Sequence, residues 1–525
     1  MATHQHQTER AGEKISLWEA TSEAGAVNPL RDNAQADVCI VGAGISGLSV
    51  AYTLAKEGKN VVVLDDGLIG RGMTGRTTAH IVNALDDRYY ELEKLHGEEG
   101  ARLAAESHTA AIDFVEKVVR EEKIDCEFER LDGYLFEPPN QPAKNLREEY
   151  EACLRASLKV EWVGRAPIAS FETGPAIKFL NQAQFHPLKY LRGLADAIEG
   201  AGGRIFTGTR VLDVKGGDEA QVTTEGGPVV HANAAVVASN SPINDRFVIH
   251  TKQAPYMTYV VGLRVPKGSV TRALYWDTAE HAGEEDKALG LISYHYVRLA
   301  NDGDGEVLIV GGEDHKTGQA DDFDQRYERL EDWTRVRFPS AGEIAFRWSG
   351  QVMEPVDGLG FIGRNPSDKR NVFVVTGDSG NGMTHGTIAG ILIPDLIAGR
   401  KNAWETVYDP SRKSLRAAGD FAKENLNVAR QYTDLVTGGD VSSADDIKPG
   451  EGAILRHGLH KVAAYRDDAG VLHEVTAVCP HLKCIVHWNG NEKSWDCPCH
   501  GSRFDAMGHV MQGPSVADLA PIEKK

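Results

Sequence analysis

A glycine-rich turn between two apolar runs near the N terminus constrains the fold of this chain most strongly. The run Asp37–Val41 leads into the pattern G-x-G-x-x-G, a stretch of helical spacing follows, and Asn60–Leu64 is a second apolar run. This order predicts a βαβ unit whose helix N terminus faces the phosphates of a dinucleotide. The first glycine makes the tight turn, the second lets the backbone approach the pyrophosphate, and the third packs the helix against the strand.

An acidic residue stands where such a unit needs one to bind the ribose hydroxyls. The expected position is about 20 residues after the first glycine, and Asp65 lies 65 − 42 = 23 positions after Gly42. A glycine-rich turn within an ordinary α/β domain is the alternative interpretation. The predicted dinucleotide contacts of this unit are Gly42, Gly44, Ser46, Gly47 and Asp65.

Cysteine and histidine alternate in a second pattern near the C terminus. Cys479-Pro480-His481 and Cys497-Pro498-Cys499-His500 follow C-x-H…C-x-x-H, with 497 − 481 − 1 = 15 residues between the halves. Two thiolates and two imidazoles are the ligands of a Rieske [2Fe-2S] cluster. A structural zinc site is the alternative, but it usually groups Cys with Cys and His with His. The predicted iron ligands are Cys479, His481, Cys497 and His500.

The bulk properties of the chain limit its class. A length of 525 residues is too great for one ordinary core and predicts two to four folding units. A net charge of −19 disfavours nucleic-acid binding, which needs clustered Lys and Arg. No run of 18 or more apolar residues is present, and the polar start lacks the apolar core of a signal peptide. We therefore expect a cytoplasmic protein without a membrane span.

The sequence over residues 36–400 resembles the D-amino-acid-oxidase-type FAD oxidoreductases. The matching segments are Asp37–Gly44, Gly70–His80, Gly208–Val211 and Asn371–Gly386. The resemblance implies FAD as the dinucleotide, with its ring buried between a nucleotide domain and a sheet domain that holds the substrate. It also implies that Val211 lies near the adenine, and that the pyrophosphate and ring are lined by Arg76, Thr77 and Thr78.

The residues of the late segment Asn371–Gly386 predict a flavin contact independently of the family resemblance. An apolar strand runs into a glycine-rich turn, and a helix follows to about Ala398. The N terminus of that helix carries partial positive charge, which would stabilise the negative charge of reduced flavin. A plain strand–turn–helix is the alternative. The predicted FAD contacts here are Gly377, Asp378, Gly380, Gly382 and Met383.

Residues 450–520 resemble the respiratory-type Rieske proteins. The match covers both Cys/His loops and Gly513-Pro514, which corresponds to the proline loop that covers the cluster. The resemblance implies a disulfide between Cys484 and Cys499, with two reduced structural thiols as the alternative. Phe504 replaces a tyrosine that donates to a ligand sulfur in the respiratory type. Because hydrogen bonds to sulfur raise the potential, we expect a less oxidising cluster.

Together these features predict an α/β Rossmann-like FAD-binding domain with an inserted antiparallel-sheet substrate domain, followed by a small all-β Rieske domain. The predicted boundaries are an N-terminal tail at 1–35, the FAD-dependent oxidoreductase at 36–400, a linker at 401–445 and the Rieske domain at 446–525. Within 36–400, the nucleotide-binding parts are about 36–110, 186–245 and 350–400, and the substrate parts are about 111–185 and 246–349.

A flavin accepts two electrons as a hydride and a Rieske cluster passes them singly, so the pair predicts a dehydrogenase or oxidase that drains electrons through the cluster. The chain resembles a bacterial group of amino-acid-oxidase-type FAD proteins with fused Rieske domains, and substrates of the broader family are mostly amines and amino acids. The expected partners are a small organic substrate and an unidentified electron acceptor. The candidate catalytic residues are His385, Tyr256 and Arg298, the last as a partner for a substrate carboxylate, and packing roles are the alternative.

Two other functions stay open at this stage. A Rieske oxygenase needs mononuclear iron held by two histidines and a carboxylate, but the close pair His457 and His460 falls inside the Rieske region. An electron-transfer reductase without an organic substrate would need a nicotinamide site. The second G-x-G-x-x-G, Gly358–Gly363, is followed by Arg-Asn-Pro rather than a helix, which disfavours such a site.

Overall fold

The computed structural model describes residues 14–137, 144–245, 247–278, 294–303, 305–413, 415–458 and 460–522. Its helices, in chain order, are α1 (Leu17–Ala20), α2 (Ile45–Lys56), α3 (Tyr89–Glu122), α4 (Lys144–Arg155), α5 (Pro187–Gly200), α6 (Phe323–Arg337), α7 (Gly382–Ile397), α8 (Glu405–Tyr408) and α9 (Ala418–Gln431). Of these described helices, none combines the length and the apolar character needed to cross a lipid bilayer.

The strands of the first two sheets, in chain order, are β1 (Ala34–Val41), β2 (Val61–Leu64), β3 (His80–Ile81), β4 (Glu129–Phe136), β5 (Val160–Val163), β6 (Ala176–Gln184), β7 (Arg204–Phe206), β8 (Val211–Lys215), β9 (Ala220–Thr224), β10 (Val229–Val237), β11 (Gln253–Val265), β12 (Leu274–Asp277), β13 (Tyr296–Asp302), β14 (Gly305–Lys316), β15 (Ile344–Pro355), β16 (Phe361–Arg364) and β17 (Val372–Thr376). Those of the C-terminal sheets are β18 (Gly452–His457), β19 (His460–Arg466), β20 (Leu472–Thr476), β21 (His487–Asn489), β22 (Ser494–Asp496), β23 (Arg503–Asp505) and β24 (Val510–Gln512).

The first sheet carries the glycine motif at the carboxyl end of β1. Its order is β16-β17-β10-β1-β2-β7, with β8 and β9 attached beside β10, and β1 is parallel to both of its neighbours. The helices α2, α5 and α7 cover one face, while the other face packs under the β8–β9 hairpin. Because both faces are covered, the strands are nearly continuous apolar runs, as in VVVL at Val61–Leu64.

The second sheet supplies the far wall of the site. Its order is β15-β11-β14-β13-β12-β4-β6-β3, with β5 on β6, and the pairs are antiparallel except β12 with β4. Helix α6 packs against β11 and β14. The strand β3 belongs to this sheet, although residues 36–110 were assigned to the nucleotide-binding part, because the chain crosses between the sheets directly after the loop Gly70–Thr78.

The C-terminal domain consists of two antiparallel sheets, β18-β19-β20 and β21-β22-β23-β24, so the predicted all-β architecture is confirmed. Its core packs Trp495 and Phe504 around the four cysteines of the region. The linker joins both domains: Glu424 on α9 pairs with Lys316 at 2.6 Å, and the Tyr432 hydroxyl donates to the carbonyl of Leu482 at 2.7 Å.

Candidate functional site

The glycine motif is required by close contacts between backbone segments. Gly42 has φ +112°, and a Cβ there would lie 2.4 Å from the carbonyl oxygen of Ala238 at the end of β10. A Cβ on Gly47 would lie 1.8 Å from the carbonyl oxygen of Gly42. Gly44 precedes α2 and lines a cavity at its N terminus. The turn therefore holds α2 tightly against β1 and leaves its first N–H groups facing the cavity.

The predicted ribose ligand follows β2 as expected. One carboxylate oxygen of Asp65 accepts from the N–H of Ala43 at 2.6 Å, and the other accepts from Gly67 at 2.8 Å. The residue also lines the cavity. Because each carboxylate oxygen can accept a second hydrogen bond, Asp65 retains capacity for a hydroxyl ligand.

A cavity of about 980 Å³ lies between the two large sheets. Apart from Gly47, which packs behind the turn, it is lined by every residue predicted to contact FAD. The glycine-rich turn after β17 has φ values of +72° at Gly377 and +69° at Gly380, and it leads directly into α7 at Gly382. Two helix N termini thus border one cavity, and the close backbone approach at Gly42 and Gly44 fits an extended dinucleotide.

Arg76 lines the cavity, and its side chain also reaches the C-terminal domain. Its guanidinium donates to the carbonyls of Ser349 at 3.1 Å and Lys14 at 2.7 Å, and it pairs with Glu492 of the C-terminal domain at 3.3 Å. Glu492 is also the acceptor for the Ser349 hydroxyl at 2.5 Å. Arg76 thus borders the cavity and joins the two domains through its side chain, and its contact with the cofactor stays a prediction. No local sequence pattern signals a partner so distant in the chain.

The three candidate catalytic residues have different surroundings. Tyr256 lines the cavity. His385 also lines it, but its Nδ1 donates to the carbonyl of Asp378 at 2.9 Å, and burial lowers its pKa to about 4. Arg298 lies outside the lining and donates to the carbonyls of Thr78, Ala79 and Phe185. Arg298 is therefore a structural residue, and we withdraw it as a carboxylate ligand.

Acidic residues form a group in the cavity, and four of them were not predicted from the sequence. These four are Asp86, Asp87, Asp314 and Glu354, and Asp378, a predicted FAD contact, stands with them among the lining carboxylates. Burial raises the pKa of Asp87 and of Asp314 to about 7, and it raises the pKa of Asp378 to about 6. Burial and the neighbouring carboxylates raise the pKa of Glu354 well above its usual value. The cavity thus concentrates acidic groups whose mutual repulsion a cation would relieve.

Aromatic rings stand beside these carboxylates. The Tyr294 hydroxyl donates to Asp86 at 2.5 Å, and the Tyr296 hydroxyl bonds to the Thr258 hydroxyl at 2.6 Å. One oxygen of Asp314 is buried without a hydrogen-bond partner among the residues that the structure describes. Such a group is normally paired, so Asp314 is a candidate ligand for a molecule in the cavity.

The two Cys/His loops converge in the C-terminal domain. The N–H of Cys479 donates to the carbonyl of Cys484 at 2.9 Å, and the N–H of Cys497 donates to that of Ser502 at 2.8 Å, so each loop closes as a tight turn. A disulfide joins Cys484 and Cys499, whose Cα atoms are 6.5 Å apart, and the predicted bridge is confirmed.

The predicted iron ligands fit a [2Fe-2S] cluster. Cys479 and Cys497 are buried and form no disulfide, so both thiols can serve as iron ligands. The two thiols are close enough to hydrogen-bond to each other. The Nδ1 of His500 is buried without a partner among the described residues, as expected for a ligand atom, and the rings of His481 and His500 lie 5.1 Å apart. Cys497 also lies within 4.8 Å of the sulfurs of Cys484 and Cys499, but those two sulfurs belong to the disulfide.

The histidine edge of the cluster site faces the FAD-binding part of the chain. The ring of His250 lies 4.9 Å from that of His481 and 5.4 Å from that of His500. The Gln351 amide nitrogen donates to the carbonyl of Gly501 at 3.0 Å, and Gln351 also lines the cavity. The side chain of Gln351 therefore reaches from the cavity to the second cluster loop. A dinucleotide site and an iron–sulfur site in this arrangement define a redox enzyme with two cofactors.

Comparisons with known proteins agree with this class. The family model "DAO: FAD dependent oxidoreductase" matches residues 37–396, and the model of the Rieske [2Fe-2S] domain matches residues 439–523. The chain belongs to the DAO family of FAD-dependent oxidoreductases and carries a Rieske domain in its C-terminal part. FAD and a [2Fe-2S] cluster are its cofactors, and both resemblances seen in the sequence are confirmed.

Relatives and solved structures extend this result. YhfW of Bacillus subtilis (strain 168), named as a Rieske 2Fe-2S iron-sulfur protein, is 31% identical over 99% of both chains. Gamma-glutamylputrescine oxidoreductase of Escherichia coli (strain K12) is 27% identical over 70% of this chain and 85% of its own. The crystal structure of glycine oxidase from Geobacillus kaustophilus covers 73% of this chain and 100% of its own, with a TM-score of 0.60 and 18% identity, and shows the shared fold.

We expect the FAD to be bound without a covalent link. All seven cysteines lie within the described residues and none of them lines the cavity. His80 does line it, but its ring nitrogens contact the Thr78 hydroxyl at 3.0 Å and the carbonyl of Val297 at 3.4 Å. Denaturation followed by filtration should release all flavin absorbance, whereas colour retained on the unfolded chain would contradict this prediction and point to His80.

Proposed function

We propose that the protein is an FAD-dependent dehydrogenase of a cationic amine and that its electrons leave the flavin through the Rieske cluster. The observation that carries the proposal is the group of carboxylates in the cavity. When bound, FAD supplies an acceptor for a hydride, and the cluster supplies a carrier for single electrons. The neutral amine would give an imine, two protons and two electrons; the protons would go to solvent, and the electrons would pass to an external acceptor of unidentified nature.

The charge of the cavity supports an amine as the substrate. Burial raises the pKa values of Asp86, Asp314 and Glu354, and a bound cation would favour their negatively charged forms. The rings of Tyr294 and Tyr296 add faces that attract cations. A carboxylate of the substrate would meet repulsion from these acids, and Arg298 is not available to bind it. The Arg88 guanidinium donates to the backbone carbonyls of Leu85 and Asp277. The other described Arg and Lys residues that line the cavity are Arg71, Arg76, Arg210 and Lys423, and the three arginines among them pair with Glu19, Glu492 and Asp518.

The same carboxylates support the chemistry of amine oxidation. A substrate ammonium must lose a proton before the adjacent C–H bond can yield a hydride. Burial raises the pKa of Asp314 to about 7, so its carboxylate can both attract the ammonium and accept its proton near neutral pH. We assign Asp314 this role, with Asp86 and Glu354 as further ligands for positive charge.

The contact between the domains supports the electron route. Gln351 borders the cavity and binds the cluster loop at Gly501, while His250 packs against both histidine ligands. Short separations between redox centres favour intramolecular transfer. Among relatives, the name gamma-glutamylputrescine oxidoreductase describes an enzyme that acts on an amine derivative, which is consistent with the proposal.

Anaerobic mixing of the holoenzyme with matched substrates tests the proposal. Putrescine and ornithine, or cadaverine and lysine, differ only in the α-carboxylate. We expect the diamines to bleach the flavin at least about tenfold faster at equal concentration, because the carboxylate is repelled by the cavity acids. Freeze-quenched samples should then show the reduced Rieske signal by electron paramagnetic resonance (EPR). If only the amino acids bleach the flavin, the proposal of an amine substrate is wrong. If the cluster stays oxidised throughout turnover, the proposed transfer of electrons from the flavin to the cluster is wrong.

The variant Asp314→Asn tests whether Asp314 binds the substrate ammonium. Loss of a charged hydrogen bond costs about 1.5–3 kcal/mol, which raises KM for the diamine by roughly ten- to a hundredfold. Asp324→Asn, an exposed acid on α6 away from the cavity, is the matched control and should keep the wild-type KM. Equal KM values for the two variants would show that Asp314 does not bind the substrate.

A further inference from the structure

The cavity that fits FAD is not enclosed by the FAD-binding domain alone. Part of its wall comes from the Rieske domain, where strand β24 and the loop after it line the cavity at residues 510–513, 515 and 516. We call residues 510–516 the shared segment. It borders the part of the cavity formed by Thr209–Val211 and by Ala238–Asn240, which is the nucleotide end near Asp65.

Contacts on both sides fix the shared segment in place. The guanidinium of Arg210 donates to the carbonyl of Val510 at 3.0 Å and pairs with Asp518 at 3.1 Å. The same Asp518 carboxylate accepts from the N–H of Val510 at 2.8 Å. Gly513 approaches the 239–243 loop so closely that a Cβ would lie 3.1 Å from Ile243. The segment is therefore held by the FAD domain as well as by its own sheet.

One side chain of the shared segment has unmet hydrogen-bonding capacity. Both the amide nitrogen and the amide oxygen of Gln512 are buried, and neither has a partner among the described residues. Asn240, which also lines the cavity, likewise has a buried amide nitrogen without a partner in the described part of the chain. Buried amides are normally paired, so two unsatisfied amides at one end of a cofactor cavity indicate a polar ligand between them.

We propose that the Rieske domain completes the FAD site and that Gln512 binds the adenosine diphosphate portion of the cofactor. The far end of the shared segment is tied to the second cluster loop, because the N–H of Ser515 donates to the hydroxyl of Ser502 at 3.0 Å. A single stretch of chain thus contacts both cofactor sites. FAD cannot leave through this end unless the Rieske domain moves, which makes retention of FAD a property of both domains. The inference is independent of which substrate the enzyme oxidises.

The release of FAD from the holoenzyme tests this role. Flavin fluorescence after dilution reports the dissociation rate, and EPR of the reduced protein reports the integrity of the Rieske domain. Gln512→Ala should release FAD about tenfold faster, the effect of losing the hydrogen bonds of one amide. Gln512→Glu keeps the size of the side chain and places a negative charge near the cofactor phosphates, so it should release FAD faster still.

Met507→Ala is the matched control, because Met507 is 42% exposed on the same hairpin and does not line the cavity. It should release FAD at the wild-type rate, and all three variants should keep the Rieske EPR signal. If Gln512→Ala loses the Rieske EPR signal, the rate of FAD release from Gln512→Glu is the measurement that tests the proposal. Release within twofold of wild type in a Gln512 variant with an intact cluster would overturn the proposal, whatever the outcome with amine substrates.

Discussion

Replacing Gly42 with alanine should produce a protein that retains little or no FAD. The new Cβ would lie 2.4 Å from the carbonyl oxygen of Ala238, and the φ of +112° is unfavourable for alanine. The turn must therefore shift, and with it the N terminus of α2 that faces the cofactor phosphates. We expect FAD to bind at least tenfold more weakly, about 1.4 kcal/mol or more, measured as flavin absorbance per protein after gel filtration.

Gly58→Ala separates the effect of the clash from that of the backbone conformation. Gly58 also has a positive φ, +80°, but no atom lies within 4 Å of a Cβ placed there. Its substitution should cost about 1–2 kcal/mol of stability and leave the FAD content unchanged. The Rieske EPR signal should persist in both variants and report on folding. Wild-type FAD content in Gly42→Ala would contradict the assignment of this turn to the cofactor.

The second large effect should follow from loss of a cluster ligand. In Cys497→Ser or His500→Ala one of the four protein ligands is missing, and the characteristic Rieske EPR signal should disappear completely. Bleaching of FAD by a true substrate should continue, because the cavity residues that bind the substrate belong to the other domain. Reduction of a one-electron acceptor in steady state should then fall in proportion to the lost cluster.

The control for this experiment is His473→Ala. His473 lies on β20 and pairs with Asp467 at 2.9 Å, so it shares the domain but has no role as a ligand. Its Rieske signal and acceptor reduction should match those of the wild type. A signal that survives in Cys497→Ser would disprove the ligand set, whereas unchanged acceptor reduction without a cluster would show that electrons leave the flavin by another route.

The sequence by itself determined those parts of the protein that depend on short-range patterns. The turn from Gly42 to Gly47 is determined by contacts within a few residues and to the strand end beside it, so its glycines stand out at fixed spacing. The two cluster loops are likewise short, and each contributes one cysteine and one histidine at fixed offsets. The order of apolar runs and glycine turns was sufficient for the α/β domain, the second sheet and the C-terminal β domain.

Only the tertiary structure decided which side chains face the cavity. Arg298 was a reasonable partner for a carboxylate in sequence terms, but the register of β13 directs it to backbone carbonyls as far away as Phe185, 113 positions earlier. Arg76 lines the cavity, and its ion-pair partner Glu492 stands 416 positions later in the other domain. Pairings over such separations depend on how sheets and domains pack, which no local pattern records.

The features that carry the proposals arise in the same way. Asp86 follows β3, Asp314 lies within β14, and Glu354 lies within β15, so they line one cavity only because strands far apart in the chain join in the second sheet. Gln512 is an ordinary strand residue in sequence and becomes a candidate cofactor ligand only because the Rieske domain docks beside Arg210. The cofactors were predictable because their motifs are local. The charge of the substrate cavity and the shared wall depend on long-range packing, which only the folded chain defines.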